Sequence, residues 1–270
     1  MTIIRDTARC SDGSAIFFRV EGKEGGPHIA LVHSLAMDHR FWLPVVERLS
    51  REASILFYDC RGHGRSDRSE SRYTTELFAH DLSDIMNHIG WTSATIAGAS
   101  MGGCVSLAFA ASFPQRTNAL GLIDTTAWYG PNAEKEWSAR ADKAAVDGLS
   151  GLIDFQKTRW FSDAFRAAHP DVVERCVEIF LANDLSAYGE TCRMLGAHNV
   201  TASLPEISCP TAVIVGEEDY ATPIAMAQTL HEGIRNSRLM VIEKARHLTP
   251  LEVPDLIANE LRKLSGPAPQ

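Results

Sequence analysis

The chain has 270 residues, of which 45% are hydrophobic and 22% charged, and its net charge is -8. Such a chain can bury a sizeable core, while its acidic surplus argues against nucleic acid as a partner. No stretch approaches the roughly 20 apolar residues that span a bilayer, and the first residues lack the apolar run of a secretory signal. We therefore expect a soluble, cytoplasmic protein with no membrane partner.

Short apolar strands and amphipathic helices alternate along the chain. The predicted strands span residues 15–22, 28–33, 54–60, 93–99, 119–125, 211–217 and 238–244. The predicted helices span residues 75–89, 101–112, 223–234 and 254–264. Several strands are apolar throughout, which is typical of strands covered on both faces. The alternation predicts an α/β fold with a mostly parallel sheet and helices on both faces.

One long stretch, residues 127–205, breaks this alternation. It contains the helical patterns "EKEWSARADKAAV", "LIDFQKTRWF" and "DVVERCVEIFLA" but no convincing strand. An insertion after the end of a strand lies above the crevice where open parallel sheets bind ligands, so we predict a helical cap. The core is then divided into residues 1–126 and 206–264, and residues 265–270 are expected to form a frayed tail.

The segment "ATIAGASMGG" places Ser100 where a strand turns sharply into a helix. Glycines two positions before and after it, Gly98 and Gly102, would allow a backbone too tight for side chains. This G-x-S-x-G pattern between strand and helix is typical of a nucleophile elbow. The N–H of Met101, at the start of the helix, would then be an oxyanion donor. The alternative is a glycine-rich turn with a capping serine.

A serine nucleophile needs a general base and a group that orients the base. His247 is the best candidate base, because it lies in "EKARHLTPLEVPD", between the last strand and the C-terminal helix. Asp219 is the best candidate acid, because it follows an apolar strand and lies just before a threonine-proline helix start. Three other carboxylates compete for this role: Glu217, Glu218 and Asp124.

The order Ser100, Asp219, His247, with the segments "YDCRGHGRSD" and "PQRTNALGLID", resembles the α/β-hydrolase fold superfamily. The resemblance implies a sheet of about eight strands, with the helical cap inserted after the sixth. It also implies a second oxyanion donor, the backbone N–H of Leu35, in a loop where Ser34 replaces the family's usual glycine.

A narrower resemblance comes from "HSLAMDHRFWLPVVERLS" and from "RADKAAVDGLSGLIDFQKTRWFSDAF", which includes an Arg-Trp-Phe triplet. These segments are similar to 3-oxoadipate enol-lactonases. The resemblance implies a small-molecule ester or lactone substrate, with the free carboxylate of an enol-lactone held by a cation of the cap. The cations available there are Arg140, Lys143, Lys157 and Arg159. The candidate substrate-binding residues are Trp128, Trp137, Arg140 and Trp160.

The sequence thus predicts a serine hydrolase that cleaves a carboxylic ester or lactone through an acyl-enzyme, in the manner of an enol-lactonase of aromatic catabolism. Neither a cofactor nor a metal is expected. The six cysteines lack ligand spacing, and no G-x-G-x-x-G opens the first helix. The alternatives are a carboxylesterase of other specificity, a cofactor-free peroxidase-type or lyase activity on the same triad, and a ligand receptor without turnover.

Overall fold

A computed structural model describes residues 2–69 and 71–266. Its strands are β1 Thr2–Arg9, β2 Ala15–Gly22, β3 His28–Val32, β4 Ser54–Tyr58, β5 Ala94–Ala99, β6 Thr117–Ile123, β7 Thr211–Gly216 and β8 Ser237–Ile242. Its helices are α1 Leu43–Leu49, α2 Thr75–His88, α3 Met101–Ser112, α4 Ala133–Asp147, α5 Ile153–Trp160, α6 Asp163–Ala168, α7 Pro170–Leu181, α8 Leu185–Ala197, α9 Ile224–Gly233, α10 Thr249–Glu252 and α11 Pro254–Leu264. Of the predicted tail, residues 267–270 lie outside the described part.

The eight strands form one sheet in the order β1-β2-β4-β3-β5-β6-β7-β8. β2 pairs antiparallel with β1 and β4, and every other pairing is parallel. All residues of β5 and β7 are buried, because helices cover both faces of the sheet's centre. The parallel strands end at one edge of the sheet. The loops after β3, β5, β6, β7 and β8 therefore meet there, which is where ligands bind in open parallel sheets.

Five helices, α4 to α8, lie between β6 and β7 and form the cap, which we define as residues 127–205. The two segments that connect it to the core run side by side, because Trp128 pairs with Asn199 and the N–H of Val200 donates to the carbonyl of Ala127 at 3.0 Å. In the described part of the chain, no helix has both the length and the apolar character needed to cross a membrane.

The structure adds elements that the sequence did not indicate. β1 was not predicted because seven of its eight residues are exposed and it pairs only with β2 at the sheet edge. α1, α6, α8 and α10 were also not predicted. Helix α8 was not predicted because it contains glycine, which disfavours helix. A Cβ on Gly196 would lie 3.0 Å from the Cβ of Trp137 in α4, so this glycine allows the two helices to pack closely.

Candidate active site

Ser100 lies in a strained turn between β5 and α3, with φ at +54° and ψ at -117°. Such a conformation costs about 1–3 kcal/mol for a non-glycine residue and persists only where the surroundings impose it. A Cβ on Gly98 would lie 2.0 Å from the carbonyl oxygen of Gly102, and a Cβ on Gly102 would lie 2.0 Å from that of Val32. Neither position accepts a side chain, which is the physical reason for the glycines of the motif.

Three side chains from separate loops meet beyond this turn. The Ser100 hydroxyl lies 2.9 Å from Nε2 of His247, and Nδ1 of His247 lies 2.8 Å from Oδ2 of Asp219. The relative exposures of the three residues are 6%, 4% and 3%. With Nδ1–H donating to the carboxylate, Nε2 carries the lone pair and can accept the hydroxyl proton.

Asp219 is held as a carboxylate by several donors. Its Oδ1 accepts the N–H groups of Ala221 and Thr222, at 2.7 and 3.0 Å, and its Oδ2 accepts the Thr222 hydroxyl at 2.8 Å. Burial alone would raise the pKa of Asp219. The charge and hydrogen bond of His247, together with the bonds from Thr222, bring that pKa below its usual value. The group is therefore ionised at neutral pH.

The three competing carboxylates have other partners. Asp124 accepts the N–H and hydroxyl of Thr249 and the N–H of Gly216, and so ties the ends of β6 and β7 to the start of α10. Burial and the nearby charge of Asp219 raise the pKa of Asp124 well above its usual range. Glu217 accepts the N–H of Lys244, and Glu218 pairs with Arg246. Of the four candidate acids, Asp219 is the one bonded to His247.

The two proposed oxyanion donors lie on facing segments. Leu35 follows β3, and Met101 is the first residue of α3, whose next residue, Gly102, is packed against the carbonyl oxygens of Val32 and His33. In the described residues, neither the Leu35 N–H nor the Met101 N–H has a protein acceptor. The assignment of these two N–H groups as oxyanion donors stays a prediction.

His33 supports the loop that carries Leu35. Its Nε2 accepts the N–H of Cys60 at 2.9 Å, and its Nδ1–H donates to the carbonyl of Ser34 at 2.8 Å. Burial lowers the pKa of His33, so the ring stays neutral and can accept and donate at once. Its bonds are thus structural and hold the loop despite the serine in place of glycine.

The cap contributes a positive site from two arginines. The Arg140 guanidinium lies 5.0 Å from the Trp137 ring, and its Nε donates to the Tyr188 hydroxyl at 2.8 Å. Burial and the positive charge of Arg140 lower the pKa of Arg159 to about 10, so Arg159 is still charged at neutral pH. By contrast, Lys143 is exposed and pairs with Asp147 at 2.5 Å.

The two other tryptophans named from the sequence have different surroundings. The Trp160 ring packs edge-on against Phe161 and Phe180 inside the cap, while its carbonyl oxygen accepts the N–H groups of His247 and Leu248. Trp128 is 41% exposed, in the segment that connects core and cap. The structure thus groups Trp137 with Arg140, gives Trp160 a packing role next to the His247 loop, and leaves Trp128 at the surface.

The family assignment agrees with this geometry. A family model described as the alpha/beta hydrolase fold matches residues 27–254. The chain belongs to the alpha/beta hydrolase fold family. It is 30% identical over 245 residues to 3-oxoadipate enol-lactonase 1 of Acinetobacter baylyi, covering 90% of each chain. It is also 30% identical to 3-oxoadipate enol-lactonase 2 of that organism, covering 93% of this chain and 92% of the relative.

Two solved structures superpose on nearly the whole chain. An enol-lactonase from Burkholderia xenovorans LB400 has a TM-score of 0.91 at 29% identity, covering 96% of this chain and 98% of that chain. A thermophilic esterase from Thermogutta terrifontis, solved with malate bound, has a TM-score of 0.88 at 28% identity, covering 97% of each chain. The predicted fold and both resemblances are therefore confirmed.

One cluster of this alpha/beta hydrolase has atoms of the type that bind metals. Ligand-type atoms of Asp38, His39 and Asp59 lie within 4.8 Å of one another. Each has an internal partner, because Nδ1 and the N–H of His39 both lie 2.7 Å from Asp59 Oδ1, and Arg40 pairs with Asp38 at 2.6 Å. The cluster supports the turn after β4.

Sequence reasoning missed two polar residues near the three side chains. Thr222 bonds Asp219 through both its N–H and its hydroxyl, and the spacing Asp-x-x-Thr just before a proline is a recognisable signal for such a turn. Tyr129 places its hydroxyl 3.9 Å from Sγ of Cys104, in the first turn of α3. No local pattern singles out Tyr129, because its position depends on the fold of the segment that leaves β6.

Proposed function

We propose that this alpha/beta hydrolase is a serine hydrolase that cleaves a carboxylic ester or lactone, with Ser100 as nucleophile, His247 as general base and Asp219 as the group that orients the base. The observation that carries the proposal is the continuous hydrogen-bond chain from the Ser100 hydroxyl through both ring nitrogens of His247 to Asp219. The broader assignment, hydrolysis of ester bonds, also has the support of relatives named enol-lactonase and esterase.

The reaction follows from the protonation states. As the Ser100 oxygen attacks the carbonyl carbon, its proton passes to Nε2 of His247, and the ionised Asp219 stabilises the imidazolium that forms. The N–H groups of Leu35 and Met101 bind the oxygen that becomes negative. His247 then returns the proton to the leaving alkoxide or enolate, and the same ring activates the water that hydrolyses the acyl-enzyme.

The substrate is proposed to carry a carboxylate, as a 3-oxoadipate enol-lactone of aromatic catabolism does. In the part of the chain that the structure describes, neither Arg140 nor Arg159 forms an ion pair with a carboxylate. Both guanidinium groups belong to half-buried residues. A cation partly removed from water without a counter-ion is costly, and a guanidinium pairs well with a bound carboxylate. Arg140, beside Trp137, is the residue assigned to that carboxylate.

The first experiment tests the nucleophile. Ser100→Ala is expected to lower ester hydrolysis at least about 10³-fold, because the remaining groups cannot form an acyl-enzyme. The far-ultraviolet circular dichroism and the melting temperature should stay close to those of the wild type, since the strained turn itself is kept. Full activity in the variant would overturn the proposal.

The second experiment tests the substrate class. Hydrolysis is compared among simple p-nitrophenyl esters, uncharged lactones and carboxylate-bearing enol-lactones. The proposal expects the highest kcat/KM on the carboxylate-bearing lactones. Equal or lower values on these acids would reject the enol-lactone assignment and leave the serine mechanism to be judged by Ser100→Ala alone.

A further inference from the structure

Tyr129 is half-buried in the segment that leads from β6 into the cap. The two residues before it are paired with the segment that leaves the cap. The neighbouring Trp128 pairs with Asn199, and the carbonyl of Ala127 accepts the N–H of Val200 at 3.0 Å. The backbone that leads to Tyr129 is therefore fixed by pairing with the segment that leaves the cap.

The Tyr129 hydroxyl lies close to the nucleophile helix. It lies 3.9 Å from Sγ of Cys104, and the N–H of Cys104 donates to the carbonyl of Ser100 at 3.2 Å. Cys104, which contacts the hydroxyl, is thus one helical turn from Ser100. A thiol is a weak hydrogen-bond partner, especially at this distance, so most of the bonding capacity of the phenol is unused.

The Tyr129 ring also contacts the cap next to Arg140. It packs edge-on against Trp137, with centroids 5.1 Å apart, and the Arg140 guanidinium lies 5.0 Å from the same Trp137 ring. Tyr129 therefore lies between Cys104, in the first turn of α3, and Trp137, which contacts the arginine assigned to the substrate carboxylate.

The phenol is a hydrogen-bond donor at neutral pH. Burial raises the pKa of Tyr129 well above its ordinary value, and the charges of Arg159 and Asp219 are near enough to act on it as well. Buried donors are normally paired, and a donor whose protein partner is a distant thiol can be paired by a ligand.

We propose that Tyr129 is a substrate-binding residue whose hydroxyl donates a hydrogen bond to an oxygen atom located between the reacting carbonyl carbon and the terminal carboxylate of the substrate. The preferred substrates are then acids that carry a keto, enol or hydroxyl oxygen on this intervening chain. This inference rests on the proposed function, because it takes Ser100 and Arg140 as the two ends of the bound molecule.

The test uses two substrates that differ in one hydroxyl group, the mono-p-nitrophenyl esters of glutaric acid and of 3-hydroxyglutaric acid. The wild type should hydrolyse the hydroxylated ester with a kcat/KM about 5- to 10-fold higher, as expected for one hydrogen bond. Tyr129→Phe removes only the hydrogen-bond donor. The variant should therefore hydrolyse both esters with the kcat/KM that the wild type has on the glutarate ester. Tyr73→Phe, which removes another buried phenol outside the site, is the matched control and should keep the wild-type ratio.

Two results would overturn the inference: a wild type without preference for the hydroxylated ester, or a Tyr129→Phe variant that keeps the preference. The first result is the ratio of kcat/KM between the two esters in the wild type, so it does not depend on whether the variant folds. Failure of the proposed substrate class would give a different result. The wild type would then have the same kcat/KM on neutral p-nitrophenyl esters as on both acidic esters, and so no preference for a carboxylate.

Discussion

The carbonyl oxygen of Trp160 accepts the backbone N–H of His247 at 3.2 Å. Trp160 ends a helix of the cap, whereas His247 lies in the core loop after β8. The preceding residue, Arg246, extends this contact, since its Nη1 donates to the carbonyls of Thr158 and Phe161 at 2.8 and 3.0 Å. The cap thus fixes the loop that carries the imidazole.

Arg246→Gln tests this link between cap and core. Loss of the two carbonyl bonds should loosen the His247 loop and lower kcat about tenfold, because misplacement of a reacting group by about 1 Å can cost 10²-fold. Arg175→Gln removes an exposed cap arginine that pairs with Asp171, and serves as the control. Steady-state kinetics on a p-nitrophenyl ester measure both variants, and an unchanged kcat in Arg246→Gln would contradict the role assigned to this loop.

The two buried aspartates are expected to respond differently to the same substitution. Asp219→Asn should lower kcat about 10⁴-fold, because the amide cannot stabilise the imidazolium and favours the wrong tautomer. Asp124→Asn should lower kcat less than tenfold but lower the free energy of unfolding by about 1–3 kcal/mol, because an amide N–H then faces the N–H of Gly216 or Thr249. Kinetics and urea unfolding of both variants separate the two outcomes, and a larger kcat loss in Asp124→Asn would reverse the assignment.

Arg140 is expected to act on charged substrates alone. Arg140→Met should raise KM for a carboxylate-bearing ester about 10- to 100-fold, since hydrogen bonds to charged groups contribute about 1.5–3 kcal/mol. It should leave a neutral ester nearly unchanged. Lys143→Met, in the same helix but exposed and paired with Asp147, is the matched control. An equal loss on both esters would show that Arg140 supports the cap rather than the substrate.

Protonation of buried histidines is expected to lower the free energy of unfolding at acid pH. Burial lowers the pKa of His63 to about 3, below the value of about 6.5 in an unfolded chain. The unfolded chain therefore binds more protons between pH 6.5 and 3, and the free energy of unfolding should fall as the pH decreases, by up to about 1.4 kcal/mol per pH unit for this group.

Urea unfolding at a series of pH values tests the origin of that slope. His63→Gln should show a shallower decrease below pH 6.5, because the group that binds the extra proton on unfolding is absent. His80→Gln, which removes an exposed histidine, should keep the wild-type slope. The same slope in all three proteins would assign the acid sensitivity to other groups.

The central strands and Ser100 could be predicted because their signals are local. Strands buried on both faces are continuous apolar runs, and the predicted 93–99 and 211–217 agree closely with β5 and β7. β1 carries no such signal, since its pairing with β2 at the sheet edge leaves it mostly exposed. Helix α8 was missed because its glycines lower helix propensity, while close packing against α4 stabilises it in the fold.

By itself the sequence determined the order of strands β2 to β8 and the elbow at Ser100, because apolar periodicity and glycine spacing act over a few residues. Only the tertiary structure decided that Asp219, rather than Asp124, contacts His247, and that a cap carbonyl holds the His247 loop. These contacts join residues far apart in the chain, 147 positions between Ser100 and His247 and 28 between Asp219 and His247. Their distances are set by the packing of the whole sheet and cap, which no local pattern encodes.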